Sequence, residues 1–258
     1  MLDEIVEKTK QRLEENKKKN SLDKLKYKVL KIDNNYNYHF RKALANEDIS
    51  IIAEVKKASP SKGLITEDFD YVAIAKEYEA AGASAISVLT EPYFFQGHDE
   101  YLKEIAKNVK IPVLRKDFII DEYMIYESVL MNASAILLIV AILSDEQLKE
   151  YLVLARMLGL SAIVEAHDEQ EIKRAIDAGA DIIGVNNRNL KDFTVNIENS
   201  IRLSGCVDED IVFISESGIK TKEDIARLKE NNVDAVLIGE TLMKSQDKRA
   251  MIQELKNG

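Results

Sequence analysis

The chain has 258 residues, of which 46% are hydrophobic and 31% charged. A chain of this size buries roughly 70–75% of its unfolded surface, so the composition describes a folded core and excludes a disordered polymer. Against 36 Lys and Arg stand 45 Asp and Glu, a formal charge of −9 whose field repels nucleic acid and acidic membrane surfaces; an anionic small molecule needs a local positive pocket. The lone Cys206 excludes an internal disulfide, and MLDEIVEKTK shows no basic segment followed by an apolar one. The expected home is therefore a reducing cytoplasm. The longest apolar run, Ala135 to Leu143, falls far short of the roughly 18 residues that span a bilayer, so no membrane role is expected.

In chain order, Leu2, Ile5, Val6, Thr9 and Leu13 form one stripe of an amphipathic helix that ends in Lys17 to Lys19. Residues 20 to 46 are polar and Tyr-rich; they read as an extended connection with one short helical piece at Phe40 to Ala45. From Ile49 the texture changes. Eight apolar runs read as strands: Ile51–Val55, Ser84–Leu89, Pro112–Leu114, Ser134–Ile139, Leu160–Val164, Asp181–Val185, Ile211–Ile214 and Asp234–Ile238. Helical stretches alternate with them, around 71–81, 99–108, 122–131, 145–158, 168–178, 198–203 and 221–231, with a last one near 248–255. Runs such as AILLIV are continuously apolar, as in parallel strands covered on both faces. Ala81-Gly82-Ala83, Ala178-Gly179-Ala180 and Asn232-Val233-Asp234 sit where helices should end before strands. The reading is an α/β fold, a single (β/α)8 TIM barrel (49–258) behind an N-terminal helical extension (1–48). An open doubly wound sheet competes, but no G-x-G-x-x-G follows the first run.

In such a barrel, chemistry sits where the strands end. Glu54 and Lys56 are two apart, hence on one face of the first strand, where apolar residues are the rule. Lys116 closes the third run, Glu165 the fifth, and Asn186 and Arg188 follow the sixth. Ser215-Glu216-Ser217-Gly218-Ile219 and Ile238-Gly239-Glu240-Thr241, after the last two strands, carry the glycines and N–H groups that bind phosphate in barrels. Glu240 is an awkward neighbour for a dianion, so its side chain should point away and leave its N–H as the ligand. The loop Lys57 to Gly63 suits a substrate-contacting flap. The aromatics of Thr90 to Gly97 need either a flat ligand or the N-terminal helix as cover. His39, His98 and His167 show no metal-ligand spacing, although His167 lies close to Glu165. Cys206 has no basic partner in sequence.

Together these strings resemble the indole-3-glycerol phosphate synthase family: Ile51-Ile-Ala-Glu-Val-Lys-Lys-Ala-Ser-Pro-Ser-Lys-Gly63, Leu89-Thr-Glu-Pro-Tyr-Phe-Phe-Gln-Gly97, Lys116-Asp-Phe118, Gly184-Val-Asn-Asn-Arg-Asn-Leu190 and Ser215-Glu-Ser-Gly-Ile219. The resemblance implies a barrel whose N-terminal extension helps to cover the active face. It also implies a tryptophan-pathway lyase acting on 1-(2-carboxyphenylamino)-1-deoxyribulose 5-phosphate, with no cofactor or metal. Carried onto this sequence, Lys116 is the general acid, and Lys56 binds anionic groups and shares proton transfers. Glu54 and Glu165 do acid/base work, and Asn186 fixes polar groups of the substrate. Ser59, Arg188, Glu216, Ser217, Gly218, Gly239 and Glu240 fall where substrate and phosphate are bound, and Phe95 where an aromatic stacks on the anthranilate ring. Many relatives have Ser where Glu240 stands. A lysine acid works best with a lowered pKa, which the proximity of Lys56, Lys116 and Arg188 should provide. A monomer is expected. Two other readings stay open: a phosphoribosylanthranilate isomerase-like barrel, whose Cys/Asp pair Cys206 is badly placed to supply, and a non-catalytic phosphometabolite-binding barrel.

Overall fold

Apolar runs without polar alternation require cover on both faces, and parallel strands closed on themselves inside a ring of helices supply it. A computed structural model describes residues 1–32, 39–46, 48–189 and 193–257; positions 33–38 of the Tyr-rich connection and Leu190 of the sixth-strand motif lie outside them. The strands are β1 (Ser50–Val55), β2 (Ala58–Ser59), β3 (Gly63–Leu64), β4 (Ala85–Leu89), β5 (Val113–Lys116), β6 (Ala135–Ile139), β7 (Ser161–Ala166), β8 (Ile182–Asn186), β9 (Val212–Glu216) and β10 (Ala235–Ile238). Eight of them close a barrel in the order β1-β10-β9-β8-β7-β6-β5-β4, all parallel, while β2 and β3 form a separate hairpin. The described helices are α1 (Leu2–Lys19), α2 (Leu22–Val29), α3 (His39–Leu44), α4 (Tyr71–Ala80), α5 (Asp99–Asn108), α6 (Glu122–Leu130), α7 (Asp145–Met157), α8 (Glu169–Asp177), α9 (Glu198–Ser204), α10 (Lys222–Lys229), α11 (Glu240–Lys244) and α12 (Lys248–Lys256). None of them is long and apolar enough to cross a membrane.

The βα units are punctuated as their sequence dictates. Ser144 and Thr221 close capping boxes at α7 and α10, and the Asp70, Asp168 and Asp247 carboxylates accept N–H groups of the first turns of α4, α8 and α12. After the helices, Gly82 and Gly179 take φ of +91° and +89°. Asn232 does the same work at +57°, a conformation that Asn tolerates better than most residues.

Successive strand residues face opposite sides, which divides the apolar side chains into two shells. Outward residues such as Ile51, Val88, Val164 and Phe213 pack against the helices. Inward residues, among them Ile52, Leu114, Ile163, Ile182 and Ile214, fill the barrel.

The segment before β1 differs from the extended connection expected over residues 20–46. Ser21 accepts the Lys24 N–H and starts helix α2, which buries Leu25 and Val29, one turn apart, and packs along α6. Leu22, Leu25 and Val29 do stand at helical spacing, but an eight-residue helix is too short to hold by itself, and the face of α6 supplies the rest. Helix α3 then closes the bottom of the barrel. Phe40 and Leu44, both 0% exposed, join the interior cluster with Ile52, Ala85 and Leu114. Only α1 runs to the open end, where the Arg12 guanidinium donates to both oxygens of the buried Asp117, at 2.8 and 2.9 Å, and to the Thr90 carbonyl at 3.3 Å.

Because Phe40 plugs the barrel from a segment outside it, Phe40→Ala is expected to lower the unfolding free energy by about 3–5 kcal/mol. A urea midpoint that hardly moves would show that the plug contributes little.

Candidate active site

At the open end the inward rows turn from apolar to polar. A step of two residues keeps a side chain on the same face, so Ile52 is followed by Glu54, Leu114 by Lys116, Ile163 by Glu165, Gly184 by Asn186 and Ile214 by Glu216. These side chains line a cavity of about 460 Å³. Lys56, Ser59, Phe95, Arg188, Ser217, Gly218, Gly239 and Glu240 line it too, so every candidate residue of the sequence meets at one mouth. Strands β5, β7, β8 and β9 run to Lys116, Ala166, Asn186 and Glu216, one or two residues beyond their apolar runs, and so fix the polar groups on ladder geometry rather than on loops.

Charge of alternating sign occupies the cavity floor. The Lys116 ammonium bonds Glu216 and lies 3.8 Å from the Glu165 carboxylate; Lys56 Nζ donates to Glu54 Oε1 at 2.5 Å. Glu54, Glu165 and Glu216 are 3%, 3% and 1% exposed. The expectation of a lowered Lys116 pKa is overturned: burial opposes the charge, but Glu216, Glu165 and Glu54 outweigh it and hold the ammonium above its ordinary range. Lys56 and Arg188 are paired instead with carboxylates, Glu54 and Glu240. The group moved towards neutrality is Glu216. Burial and the nearby Glu165 and Glu54 push it up to about 7 against the pull of Lys116. Glu54, though buried, is held below the usual carboxylate range by Lys56, Lys116 and Arg188.

Two glycines make room for these charges. A Cβ on Gly239 would overlap the Glu54 carboxylate and stand 2.9 Å from Lys56 Nζ, and one on Gly184 would overlap the Glu216 carboxylate. Gly239, read from sequence as a point of close phosphate approach, thus also has a purely steric reason to be glycine.

The rim carries cations. Glu240 does not point away, as the sequence reading required. Its Oε1 accepts from Lys244 at 2.7 Å, and its carboxylate stands 3.7 Å from Lys62 and 3.8 Å from Arg188. After β9, Ser217 and Gly218 have φ of +68° and +90°. The buried Asn187 ties this turn down by donating to Ser215 Oγ at 2.9 Å and to the Ser217 carbonyl at 3.0 Å. Asn186 Oδ1 accepts the Arg188 N–H at 3.0 Å.

The aromatic loop after β4 is built by a residue that sequence reasoning missed. Glu91, 0% exposed, accepts the N–H groups of Tyr93, Phe94 and Phe95 at 2.9, 2.7 and 3.1 Å. Phe95 is thereby turned into the cavity, 6.2 Å from the Phe118 ring, while Tyr93 faces Lys8 of α1. Of the two covers expected for this loop, the N-terminal helix is the one seen, over Tyr93. Also missed were Arg115 and Asp117, which flank Lys116 and point out of the barrel. Arg115, 1% exposed, donates to the Met124 carbonyl at 2.8 Å and pairs with Asp117 at 3.3 Å. The available signal was the charged run Arg115-Lys116-Asp117 at a strand end, where the pleat must send neighbours to opposite sides. His39 starts α3 at the opposite end, and His98 caps α5 by accepting the Glu100 N–H. Cys206 is exposed. Among the described residues no His, Cys, Asp and Glu cluster could hold a metal.

The family model for indole-3-glycerol phosphate synthase matches residues 2–255. The chain belongs to the indole-3-glycerol phosphate synthase family. An indole-3-glycerol phosphate synthase of Ruminiclostridium cellulolyticum is 56% identical, over 99% of this chain and 98% of its own. Another from Endomicrobium trichonymphae is also 56% identical and covered end to end. Among solved structures, 3-hexulose-6-phosphate synthase from Salmonella typhimurium superposes with a TM-score of 0.66 over 81% of this chain and 97% of its own; at 13% identity it shares the fold alone. The family match sets aside the isomerase reading, as does the position of Cys206 outside the cavity.

Gly239→Ala should displace the Glu54–Lys56 pair and cost roughly tenfold or more in kcat/KM with the fold intact by circular dichroism; unchanged kinetics would show that the pair tolerates movement. Glu216 supplies a stability test. With a folded pKa raised to about 7 from 4.5, its contribution is complete below the unfolded value and is lost as pH rises through the folded one. The Tm of Glu216→Gln relative to wild type should therefore climb between about pH 4.5 and 7 and level off above; a flat difference would place Glu216 among ordinary carboxylates.

Proposed function

We propose that Lys116 is the general acid of this cavity, that Glu165 moves protons in the later steps, and that the rim cations hold the phosphate. As a member of its family the chain is a carboxy-lyase of tryptophan biosynthesis: it closes the pyrrole ring of 1-(2-carboxyphenylamino)-1-deoxyribulose 5-phosphate, releasing carbon dioxide and water. The observation that carries the division of labour is the Lys116 ammonium between Glu216 and Glu165 on the cavity floor.

As the aryl carbon that bears the carboxylate attacks the ketone carbon, negative charge develops on the ketone oxygen. Lys116 is held protonated by its carboxylates, and an alkoxide is a stronger base than an amine, so the proton moves downhill as the bond forms. Loss of carbon dioxide then restores the aromatic ring. Dehydration removes the new hydroxyl as water and one hydrogen from the sugar carbon next to nitrogen; Glu165, facing Lys116, serves both transfers. Lys56 binds the substrate carboxylate, oriented by Glu54, while Asn186 positions the hydroxyls. Phe95 covers the anthranilate ring. Arg188, Ser59, Ser217, Gly218 and Gly239 hold the phosphate end, with Glu240 keeping Arg188, Lys62 and Lys244 gathered at the rim. Gripping both anionic ends aligns the reacting carbons, which contributes on the order of several kcal/mol to the rate.

We take the chain to act as a monomer in the cytoplasm, the usual place of tryptophan biosynthesis, with the phosphorylated substrate as its partner. The proposed groups are side chains and backbone, so the proposed steps call on no cofactor. We divide the chain into an extension, 1–48, and a catalytic barrel, 49–258. Lys116→Ala should lower kcat by roughly 10²–10⁴-fold, followed by indole absorbance and fluorescence on the carboxyphenylamino-deoxyribulose phosphate. Retention of full turnover would sink the assignment and favour a binding barrel or another acid.

A further inference from the structure

The reaction begins with a carboxylate and ends with neutral carbon dioxide and water. Two protons go to the former ketone oxygen, which departs as water, and one returns from the sugar carbon. Each turnover therefore takes up one proton from solvent, while the acid and base of the site, Lys116 and Glu165, lie on the cavity floor beneath the substrate. Neither Glu216 nor Glu165 reaches solvent, at 1% and 3% exposure. Lys116 also touches Glu165 but is itself discharged in the reaction, so a second side chain that touches both Glu165 and the outside offers the proton a way in.

His167 has that position. Two residues beyond Glu165, it follows the same side of the pleat at the end of β7. Its Nε2 is buried, lies 3.7 Å from Glu165 Oε1 and has no hydrogen-bond partner, whereas its side chain is 24% exposed. The ring is held from behind. Glu171 Oε2 stands 3.0 Å from Nδ1 and also accepts the His167 N–H at 2.8 Å. Glu171 is fixed in turn in the first turn of α8, where its own N–H donates to Asp168 at 2.9 Å. Asn199 of α9 donates to the His167 carbonyl at 3.3 Å.

We propose that His167 is a proton-delivery residue, which recharges Glu165 with the proton that each decarboxylation consumes. The proposal rests on Glu165 as the proton-transfer group of the reaction above. Between turnovers solvent, which reaches the 24% exposed side chain, protonates the imidazole. Once substrate fills the cavity, the imidazolium gives its Nε2 proton to the Glu165 carboxylate, which hands it to the leaving hydroxyl. The carboxylate then takes the sugar C–H proton and returns it to Lys116, 3.8 Å away, so that the cycle ends with Lys116 recharged, Glu165 ionised and His167 a neutral imidazole with Nδ1–H on Glu171. Product release restores the first state. The charges that face the ring are Glu165 on β7, Glu171 on α8 and, farther off, Glu216 on β9. Burial opposes a charged ring, but the bond to Glu171 and the field of Glu165 outweigh it and lift His167 above the ordinary imidazole range, so the loaded form is populated near neutral pH.

The test measures kcat and KM of wild type, His167→Asn, His167→Ala, Glu171→Gln and Glu165→Gln from about pH 5.5 to about 9. Expected for His167→Asn is a roughly tenfold loss in kcat with KM within about twofold, and loss of the near-neutral ionisation from the kcat profile. Imidazole buffer should restore part of the His167→Ala rate in proportion to its protonated form, a response that a packing role does not produce. Glu171→Gln, which leaves the ring in place, should lose about two- to fivefold. A His167→Asn enzyme with wild-type kcat and pH profile overturns the proposal, and so does a loss in His167→Ala that imidazole does not touch. If Glu165→Gln is inactive while His167→Asn is normal, only this proposal fails; if Glu165→Gln is fully active, the role of Glu165 fails and His167 with it.

Discussion

Buried charge is tolerable in this barrel only because it alternates in sign. An isolated carboxylate or ammonium taken out of water costs several kcal/mol, and the cavity floor holds Glu54, Glu165 and Glu216 almost without exposure, with Lys116 half-buried among them. Each carboxylate has a cation against it: Lys56 on Glu54, Lys116 on Glu216 and Glu165, and the His167 ring beyond Glu165. The arrangement is under-neutralised. Three carboxylates share the field of Lys116, and the surplus negative charge falls on Glu216, whose proton is retained to about pH 7. The same imbalance holds Lys116 charged, so one feature loads the acid and brings a carboxyl group into the range where it exchanges protons.

This cluster also dictates residues that carry no charge. Gly184 and Gly239 are inward positions at the level of the carboxylates, and a methyl group at either would meet a Glu oxygen. The phosphate contact proposed for Gly239 and the accommodation of charge thus call on the same residue, one by backbone approach and the other by absent volume. At the rim the logic reverses: Glu240 gathers Lys62, Arg188 and Lys244, so the cations stay ordered near a place that a dianion can occupy.

The segment before β1 ties the two ends of the barrel together. Helix α3 fills the bottom with Phe40 and Leu44, and α1 reaches the top, where Arg12 pairs with Asp117 next to Lys116 in sequence. Burial opposes the Asp117 charge, but Arg12 and Arg115 hold it well below the usual carboxylate range. A helix outside the barrel therefore helps to set the strand end that presents the proposed acid. Loosening α1 would act on chemistry as well as on stability.

Strand count, parallel order and the gathering of Glu54, Lys116 and Glu165 at one mouth were legible along the chain, because the pleat has a period of two and a charge two residues past an apolar position stays on its face. Glu216, read as part of a phosphate turn, lies instead against Lys116 on the floor. The family strings fixed the chemistry class, since motifs such as Ile51 to Gly63 are long and ordered. Helix α2 was passed over, because the stripe Leu22, Leu25 and Val29 spans only eight residues and is stable only with α6 beside it. The direction of the Lys116 shift was not legible, because it depends on distances to Glu216 and Glu165, 100 and 49 positions further along the chain and on other strands of the barrel. Local order of residues sets which face a side chain takes; barrel closure sets which side chains then become neighbours. Pairings such as Lys116 with Glu216, Glu240 with Arg188, and His167 with Glu165 and Glu171 follow from the second, because field strength falls with distance in space and is indifferent to distance along the chain.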